Sequence, residues 1–343
     1  MIDNLSPCFS IIIPAYNVEK YIDRAISSVL NQSFQNFEMI VIDDCSTDDT
    51  LRIITSHAEK NKNIIVIKHL INQSQHIARI NGVNVAKGKF ILFLDGDDSF
   101  TEEAFSILFD VVQNNPDYDF YEFGYIEQPS RKIVFPFFTG KDRFSAYFTR
   151  DNYPLNTIWN KIYKSQLLKS AFSFMENISI RQGVEDIYES IVIAYFSKET
   201  MITKNVIVNY SVGTGVSTTY KDYKKTVEFL VSIKSTFVCI QKFLEKINQN
   251  ISLDNINYRY LAFTVYWYIN SQKNIEEKKK LFLQLPDFFD IKIIMEYLFN
   301  REEEYKNMTI IANSKEYWLG KIILYPLRKI KRIIKNNYLY GKT

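Results

Sequence analysis

Glycine and proline are scarce in this chain, 10 and 8 among 343 residues. That excludes collagen-like, linker-rich and low-complexity architectures, which need far more of both. The three cysteines, Cys8, Cys45 and Cys239, are widely spaced and odd in number. Neither a disulfide framework nor a cysteine metal site is encoded that way. No apolar run approaches the ~18 residues that a membrane-spanning helix needs. No basic-then-apolar leader precedes the first β-prone run, so the expectation is a reducing, cytoplasmic compartment. Two phosphate-binding signatures are missing as well. No G-x-G-x-x-G follows the first apolar run, and no G-x-x-x-x-G-K-[ST] occurs. A phosphate-bearing ligand would then be held by a metal and basic side chains.

What is present alternates. Short β-prone runs at 9–13, 39–42, 64–67 and 90–94 are separated by segments with helical apolar spacing, notably 18–30 and 77–86. A further helix after the second run would be capped by Ser46 or Thr47, with Asp48 and Asp49 in its first turn. Hydrophobic residues at 46% and charged ones at 24% fit a globular protein of one large or two ordinary domains. Repeated β-α units of this length predict an α/β fold with a doubly wound, mostly parallel sheet. Ligands of such open sheets bind where the strands end. The loops gathered there would be 14–19, 43–46 and 95–98.

The third of these loops carries D-G-D-D directly after the apolar run F-I-L-F-L. Asp95, Asp97 and Asp98 crowded at a strand end repel one another unless a cation or donors relieve them. Hard oxygen ligands suit Mg²⁺ or Mn²⁺, completed by water and substrate phosphate. The plainer alternative is an acidic turn with Gly96 at positive φ.

Three stretches, S-I-I-I-P-A-Y-N-V-E-K-Y-I-D-R-A-I-S-S-V-L-N-Q-S-F, E-M-I-V-I-D-D-C-S-T-D-D-T and N-Q-S-Q-H-I-A-R-I-N-G-V-N-V-A-K-G-K-F-I-L-F-L-D-G-D-D, resemble the nucleotide-sugar-binding half of family-2 glycosyltransferases. Their order and spacing match over residues 8–126, more thinly over 155–212, and not beyond. The resemblance implies the GT-A fold. It implies that Pro14, Ala15, Tyr16 and Glu19 line the nucleotide base and ribose, and that Asp44 accepts a hydrogen bond from the base. Arg79 would lie near the diphosphate, Asp95 near the ribose and metal, and Asp97 would ligate the metal directly. Cys45 departs from the family's D-D-G-S turn, and a side chain there is tolerated if the backbone keeps negative φ. Taken alone, Tyr16 could pack in the core, Asp43 reads as a strand-end cap, and Arg79 could be an ion-pair residue. His57, His69 and His76 show no ligand spacing, although His76 is near Arg79 in sequence.

Downstream, 102–112 reads as a helix capped by Thr101, 119–125 as a strand, and 131–150 as a β excursion with a basic, aromatic loop. The segment W-N-K-I-Y resembles the family's acceptor-side motif. Trp159 would offer a face for a sugar ring and Lys161 would neutralise phosphate, or both simply pack and snorkel. In R-Q-G-V-E-D-I-Y-E-S the resemblance makes Asp186 the general base, with Glu185 orienting acceptor or base. The alternative is an acid pair complementing a helix dipole. A strand at 200–210 and a glycine-containing loop at 211–222 follow, the loop read as a flap over the donor.

Helical spacing then dominates: 223–247, 256–270, 275–285 and 291–299. Over 317–335 an apolar stripe (Ile323, Leu327, Ile330, Ile334) is accompanied by Lys321, Arg328, Lys329, Lys331, Arg332 and Lys335. A basic amphipathic helix of this kind suits an anionic membrane surface, with docking on the protein itself or nucleic-acid binding as alternatives. The domain expectation is 1–220, split into a nucleotide half (1–100) and an acceptor half (101–220), with 221–343 a helical extension. The functional expectation is a Mn²⁺- or Mg²⁺-dependent, inverting glycosyltransferase. It would use a nucleotide-sugar, a UDP-sugar, and a saccharide or lipid-linked saccharide acceptor at the inner membrane face, with a homo-oligomer as one option. A non-catalytic membrane scaffold and a sugar-1-phosphate nucleotidyltransferase are the other classes; the latter's glycine-rich G-x-G-T-R-like loop is missing.

Overall fold

A computed structural model describes residues 6–138, 140–149, 154–178, 180, 184–214 and 223–251. The chain forms two compact units, Met1–Asn257 and Tyr258–Thr343. The described residues belong to the first. The helices expected at 256–270, 275–285 and 291–299, the basic stripe at 317–335, and residues 215–222 of the glycine-containing loop lie outside them.

Strands β1 (Phe9–Ala15), β2 (Phe37–Asp43), β3 (Ile64–Lys68) and β4 (Phe90–Phe93) pair in parallel in the order β3-β2-β1-β4. Every residue of β1, β2 and β4 is buried. That is why they read as unbroken apolar runs: strands covered on both faces have no solvent side to alternate with. Helices α1 (Ile22–Leu30), α2 (Thr50–Lys60) and α3 (Gln75–Val85) make the crossovers.

The second half of the sheet is mixed. Beyond β5 (Ser99–Phe100), α4 (Ala104–Asn114), β6 (Phe120–Gln128), β7 (Lys132–Val134) and the short α5 (Arg143–Ala146), β8 (Lys161–Lys164) inserts antiparallel between β4 and β6. After α6 (Ser165–Phe174) and α7 (Glu185–Phe196), β9 (Thr200–Ser211) runs parallel to β6 and antiparallel to β5. Helix α8 (Tyr223–Lys246) belongs to this same unit, with Phe243 edge-on to Tyr195 of α7 at 5.5 Å. The short β5 and β8 escape periodicity because two- and four-residue strands carry too few positions to show a repeat.

Two expected helix starts are corrected. Helix α2 begins at Thr50, and neither Ser46 nor Thr47 caps it. These residues instead fasten the first ligand-side loop to the second. Asn17 N–H donates to Ser46 Oγ, Thr47 N–H to Asn17 Oδ1, Val18 N–H to Thr50 Oγ1, and Asp49 N–H to Glu19 Oε2. Helix α4 starts at Ala104 with no side-chain cap from Thr101. Asp43, as expected of a strand-end acid, accepts from Ser46 N–H at 3.4 Å.

The backbone at Cys45 is the other correction. It takes φ +63°, the left-handed region, where negative φ was expected. The glycine turn is kept although the glycine is gone, at a cost of ~1–2 kcal/mol for an L-residue. Gly96 behaves oppositely. Among the described residues the one glycine at positive φ is Gly213, so Gly96 serves close approach instead. A Cβ there would lie 3.1 Å from Val18 Cγ2 and 3.3 Å from the Pro14 carbonyl oxygen. Cys45→Gly is expected to stabilise the fold by about 0.5–1 kcal/mol after glycine's own unfolded-state entropy is deducted. A urea-unfolding midpoint that moves upward checks this, and a downward shift contradicts the strain assignment.

Candidate active site

The carboxyl ends of β1, β2 and β4 bring the loops at 16–19, 44–49 and 95–98 to one edge of the sheet. The acid turn is fixed from several sides. Asp98 N–H closes it onto the Asp95 carbonyl at 3.0 Å. The end of β9 then covers it, with Ser211 N–H donating to Asp98 Oδ1 at 2.7 Å and Thr214 Oγ1 donating to Asp97 Oδ2 at 2.7 Å. Arg24 of α1 bridges the Asp97 carbonyl and Ser211 Oγ. Buried Asp98 has its carboxyl pushed up well above the usual range, first by burial and then by Asp95 and Asp97. Its Oδ2 has no partner.

Arg79 on α3 forms the centre. Its guanidinium is buried and surrounded by four carboxylates: Asp186 Oδ1 at 2.6 Å, Glu189 Oε2 at 3.0 Å, Asp95 Oδ1 at 3.3 Å and Glu185 Oε1 at 3.6 Å. Burial works against its charge, but the four acids, Glu189 foremost, hold its pKa well above the usual value. His76, one turn earlier on the same face, sets Nδ1 2.7 Å from Glu189 Oε1 and Nε2 3.0 Å from the Glu176 carbonyl. One cation cannot neutralise four acids, and the acids divide accordingly. Burial and Asp186 raise Glu185 to about 8. Burial, with Asp186 and Asp97, raises Asp95 to about 7 against the pull of Arg79. Asp186 is raised too, chiefly by burial and then by Glu189, again opposed by Arg79. Burial raises Glu189 as well, but Arg79 and His76 outweigh it and hold its pKa below the ordinary value.

Segment 73–75 ties the second strand end to this cluster. Asp44 is buried; it accepts from His69 Nδ1 and Gln73 N–H with Oδ1, and from Ser74 N–H with Oδ2. Gln75 Nε2 then donates to Asp95 Oδ1 at 2.6 Å. Asn81 donates to His69 Nε2, which leaves the Nδ1 proton for Asp44. Asp44 therefore holds the 73–75 loop in place.

The structure links Asp44, Arg79, Asp95, Asp97, Glu185 and Asp186 through one network of hydrogen bonds and charges that runs by way of residues 73–75. Tyr16 stands 46% exposed, so it does not pack in the core. Pro14 and Ala15 are the buried end of β1, and the Ala15 carbonyl accepts from Asp44 N–H. Three of these side chains are engaged within the protein itself. Arg79 is enclosed by carboxylates and is their common counter-ion. Trp159 is 5% exposed and stacks flat on Tyr210 at 4.9 Å with Tyr125 edge-on, so its faces serve packing. Lys161 is buried with Nζ 3.1 Å from Glu122 Oε1; its charge answers an internal acid, although burial still lowers its pKa. Glu189 and Gln75 were missed. Glu189 had a signal, since it recurs one turn after Glu185 within the otherwise apolar helix α7.

Among the described residues no three acidic, His or Cys side chains gather closely enough to cage an ion unaided. Asp95 and Asp97 nonetheless offer hard oxygens in a mutually repelling pair, a donor set whose chemistry fits Mg²⁺ or Mn²⁺.

A parallel nucleotide-type half-sheet, a mixed acceptor-side half and acids at the strand ends define a GT-A glycosyltransferase fold. Residues 10–172 match the family described as glycosyl transferase family 2. An uncharacterized glycosyltransferase of Haemophilus influenzae is 46% identical over 92 residues, 27% of this chain and 37% of that protein. The poly(ribitol-phosphate) beta-N-acetylglucosaminyltransferase TarS of Staphylococcus aureus is 39% identical over 100 residues, 28% of this chain and 17% of TarS. The chain thus spans well under half the length of these curated relatives. The crystal structure of TarS 1-349 aligns at TM-score 0.56 and 21% identity over 85% of this chain and 81% of that one. Its complex with UDP-GlcNAc aligns at 0.50 and 20% over 77% and 81%. The mannosyltransferase PcManGT of Pyrobaculum calidifontis, with GDP-Man and Mn²⁺, aligns at 0.50 and 12% over 99% and 89%.

Glu185 gives a pH test. Its folded pKa of about 8 exceeds the 4.5 of an ordinary glutamate. Its contribution to stability is therefore complete below the unfolded pKa and is lost as pH rises through the folded one. Glu185→Gln removes that loss. Relative to the parent, the variant should gain more than about 1.4 kcal/mol between about pH 5 and about pH 9 in chemical unfolding. A difference that is flat with pH contradicts the assignment.

Proposed function

We propose that this protein transfers a sugar from a nucleotide-sugar, a UDP-sugar by kinship with TarS, to a hydroxyl of a glycan or lipid-linked saccharide, inverting the anomeric centre. The observation that supports it most is convergence. Asp95 from the donor half (1–100) and Asp186 from the acceptor half (101–220) share one guanidinium, at 3.3 and 2.6 Å. A carboxylate that follows a nucleotide-side strand thereby lies beside one suited to an acceptor.

Exposed Tyr16, with the adjoining end of β1, would take the base and ribose, and Asp44 would hold the loop that borders them. Asp97 and Asp95 would hold Mn²⁺ or Mg²⁺. When bound, such an ion supplies positive charge against the diphosphate of the leaving nucleotide. PcManGT, which shares the fold, is a solved neighbour with Mn²⁺. Asp186 would take the proton of the acceptor hydroxyl. The acceptor oxygen then bonds to the anomeric carbon, and the bond to the diphosphate oxygen breaks on the opposite face. Burial raises the pKa of Asp186, which makes it a stronger base. Arg79 keeps that carboxylate oriented, and Glu185 borders it. The setting we infer is cell-surface polysaccharide synthesis, at the inner face of the membrane. Among the described residues no helix is long and apolar enough to cross a membrane.

Asp97→Asn is expected to abolish Mn²⁺-dependent UDP binding in calorimetry, and unchanged binding would remove Asp97 as the ligand. Asp186→Asn should bind donor normally while transfer falls by ~10²- to 10⁴-fold. Retained turnover would remove it as the base.

A further inference from the structure

The hairpin of β6 and β7, with the strand-like stretch that follows, presents an apolar face that stands exposed among the described residues. Along residues 133–138 exposure alternates with the twofold period of an extended chain. Ile133, Phe135 and Phe137 are 52%, 43% and 61% exposed, whereas Pro136 and Phe138 are buried. Ile126, half-buried, faces Ile133 across the ladder and extends the patch. Phe135 lies against Gly124, where a Cβ would come within 2.7 Å of its ring. Three large side chains pointing outward from one short edge are unusual for a surface that meets water alone.

The charges beside the patch say what it meets. Arg131 and Lys132 lead into it and Lys141 follows it, all three exposed. Two acids stand close. Glu127 lies 3.9 Å from Lys132 and offsets part of its charge, while Asp142 caps α5 through Ser145 N–H. Large apolar side chains flanked by a net excess of basic ones suit the boundary between acyl chains and anionic headgroups. We propose that this hairpin docks on an anionic lipid surface, with Ile133, Phe135 and Phe137 entering the interface and Arg131, Lys132 and Lys141 resting on headgroups. The docking is independent of the proposed chemistry and of the basic 317–335 segment. It also has a consequence for the crevice. On β6, Tyr125 packs against Trp159 and Tyr210, and Tyr210 lies close enough to Asp98, Asp95 and Asp97 to feel their charge. A membrane contact at the hairpin would hold the acceptor side of the site near the bilayer.

The test uses the full chain and vesicles of phosphatidylcholine with or without about one-third phosphatidylglycerol. An environment-sensitive fluorescent amino acid at position 137 should shift to the blue on anionic vesicles, and lose that shift on neutral vesicles or at high salt. The triple variant Ile133→Ser, Phe135→Ser, Phe137→Ser should partition at least about tenfold less onto anionic vesicles; any residual binding then arises elsewhere in the chain. These side chains are exposed, so folding is checked by an unchanged unfolding midpoint. No spectral shift at position 137 together with unchanged partition of the triple variant would overturn the proposal. So would a dimer in sedimentation velocity that the triple variant dissociates, with no vesicle-dependent shift, which would assign the face to a second copy of the chain.

Discussion

A single buried guanidinium holds this site together. Arg79 has four carboxylates within 3.6 Å, drawn from α3's own strand neighbour and from a helix more than a hundred residues downstream. Removing one partner of a buried ion pair costs about 3–5 kcal/mol, because the remaining charge stays desolvated. Arg79 is therefore both a structural tie between the two halves of the sheet and the electrostatic reference for every acid in the crevice. Burial first, and then the surplus of acids over cations, raises Glu185 to about 8 and Asp95 to about 7.

The acid turn uses the same physics with different relief. Asp98 is buried against β9 and satisfied on one oxygen by a backbone N–H, while Asp97 remains half-buried and bonds a hydroxyl. Adjacent carboxylates thus receive different environments. One is fixed in the protein and the other is half-buried, so the short D-G-D-D run supplies a scaffold and, in the proposed function, a metal ligand.

Much of this was legible in the sequence. Unbroken apolar runs gave the parallel strands because both their faces are covered, and the loops after them had to share an edge. Asp95 and Asp97 stand out by type and position, whereas Asp186 stands out only through the family resemblance. What could not be read were distances across the chain. Trp159 in an aromatic-rich segment looks the same whether it meets a sugar or Tyr210, and Lys161 looks the same whether its counter-charge is a phosphate or Glu122. Pairings over such separations are tertiary facts with no local signature. Cys45 shows another limit: the left-handed turn survives the loss of its glycine because the contacts of Asn17, Ser46 and Thr47 over-determine the loop.

The central claim is that this charged crevice handles a metal-bridged nucleotide-sugar. It is tested most directly by offering the full-length protein a panel of labelled nucleotide-sugars with and without Mn²⁺, and measuring release of the free nucleotide. The account predicts release from at least one donor, UDP-linked, only when the metal is present. No metal-dependent release from, or binding of, any member of the panel would contradict it.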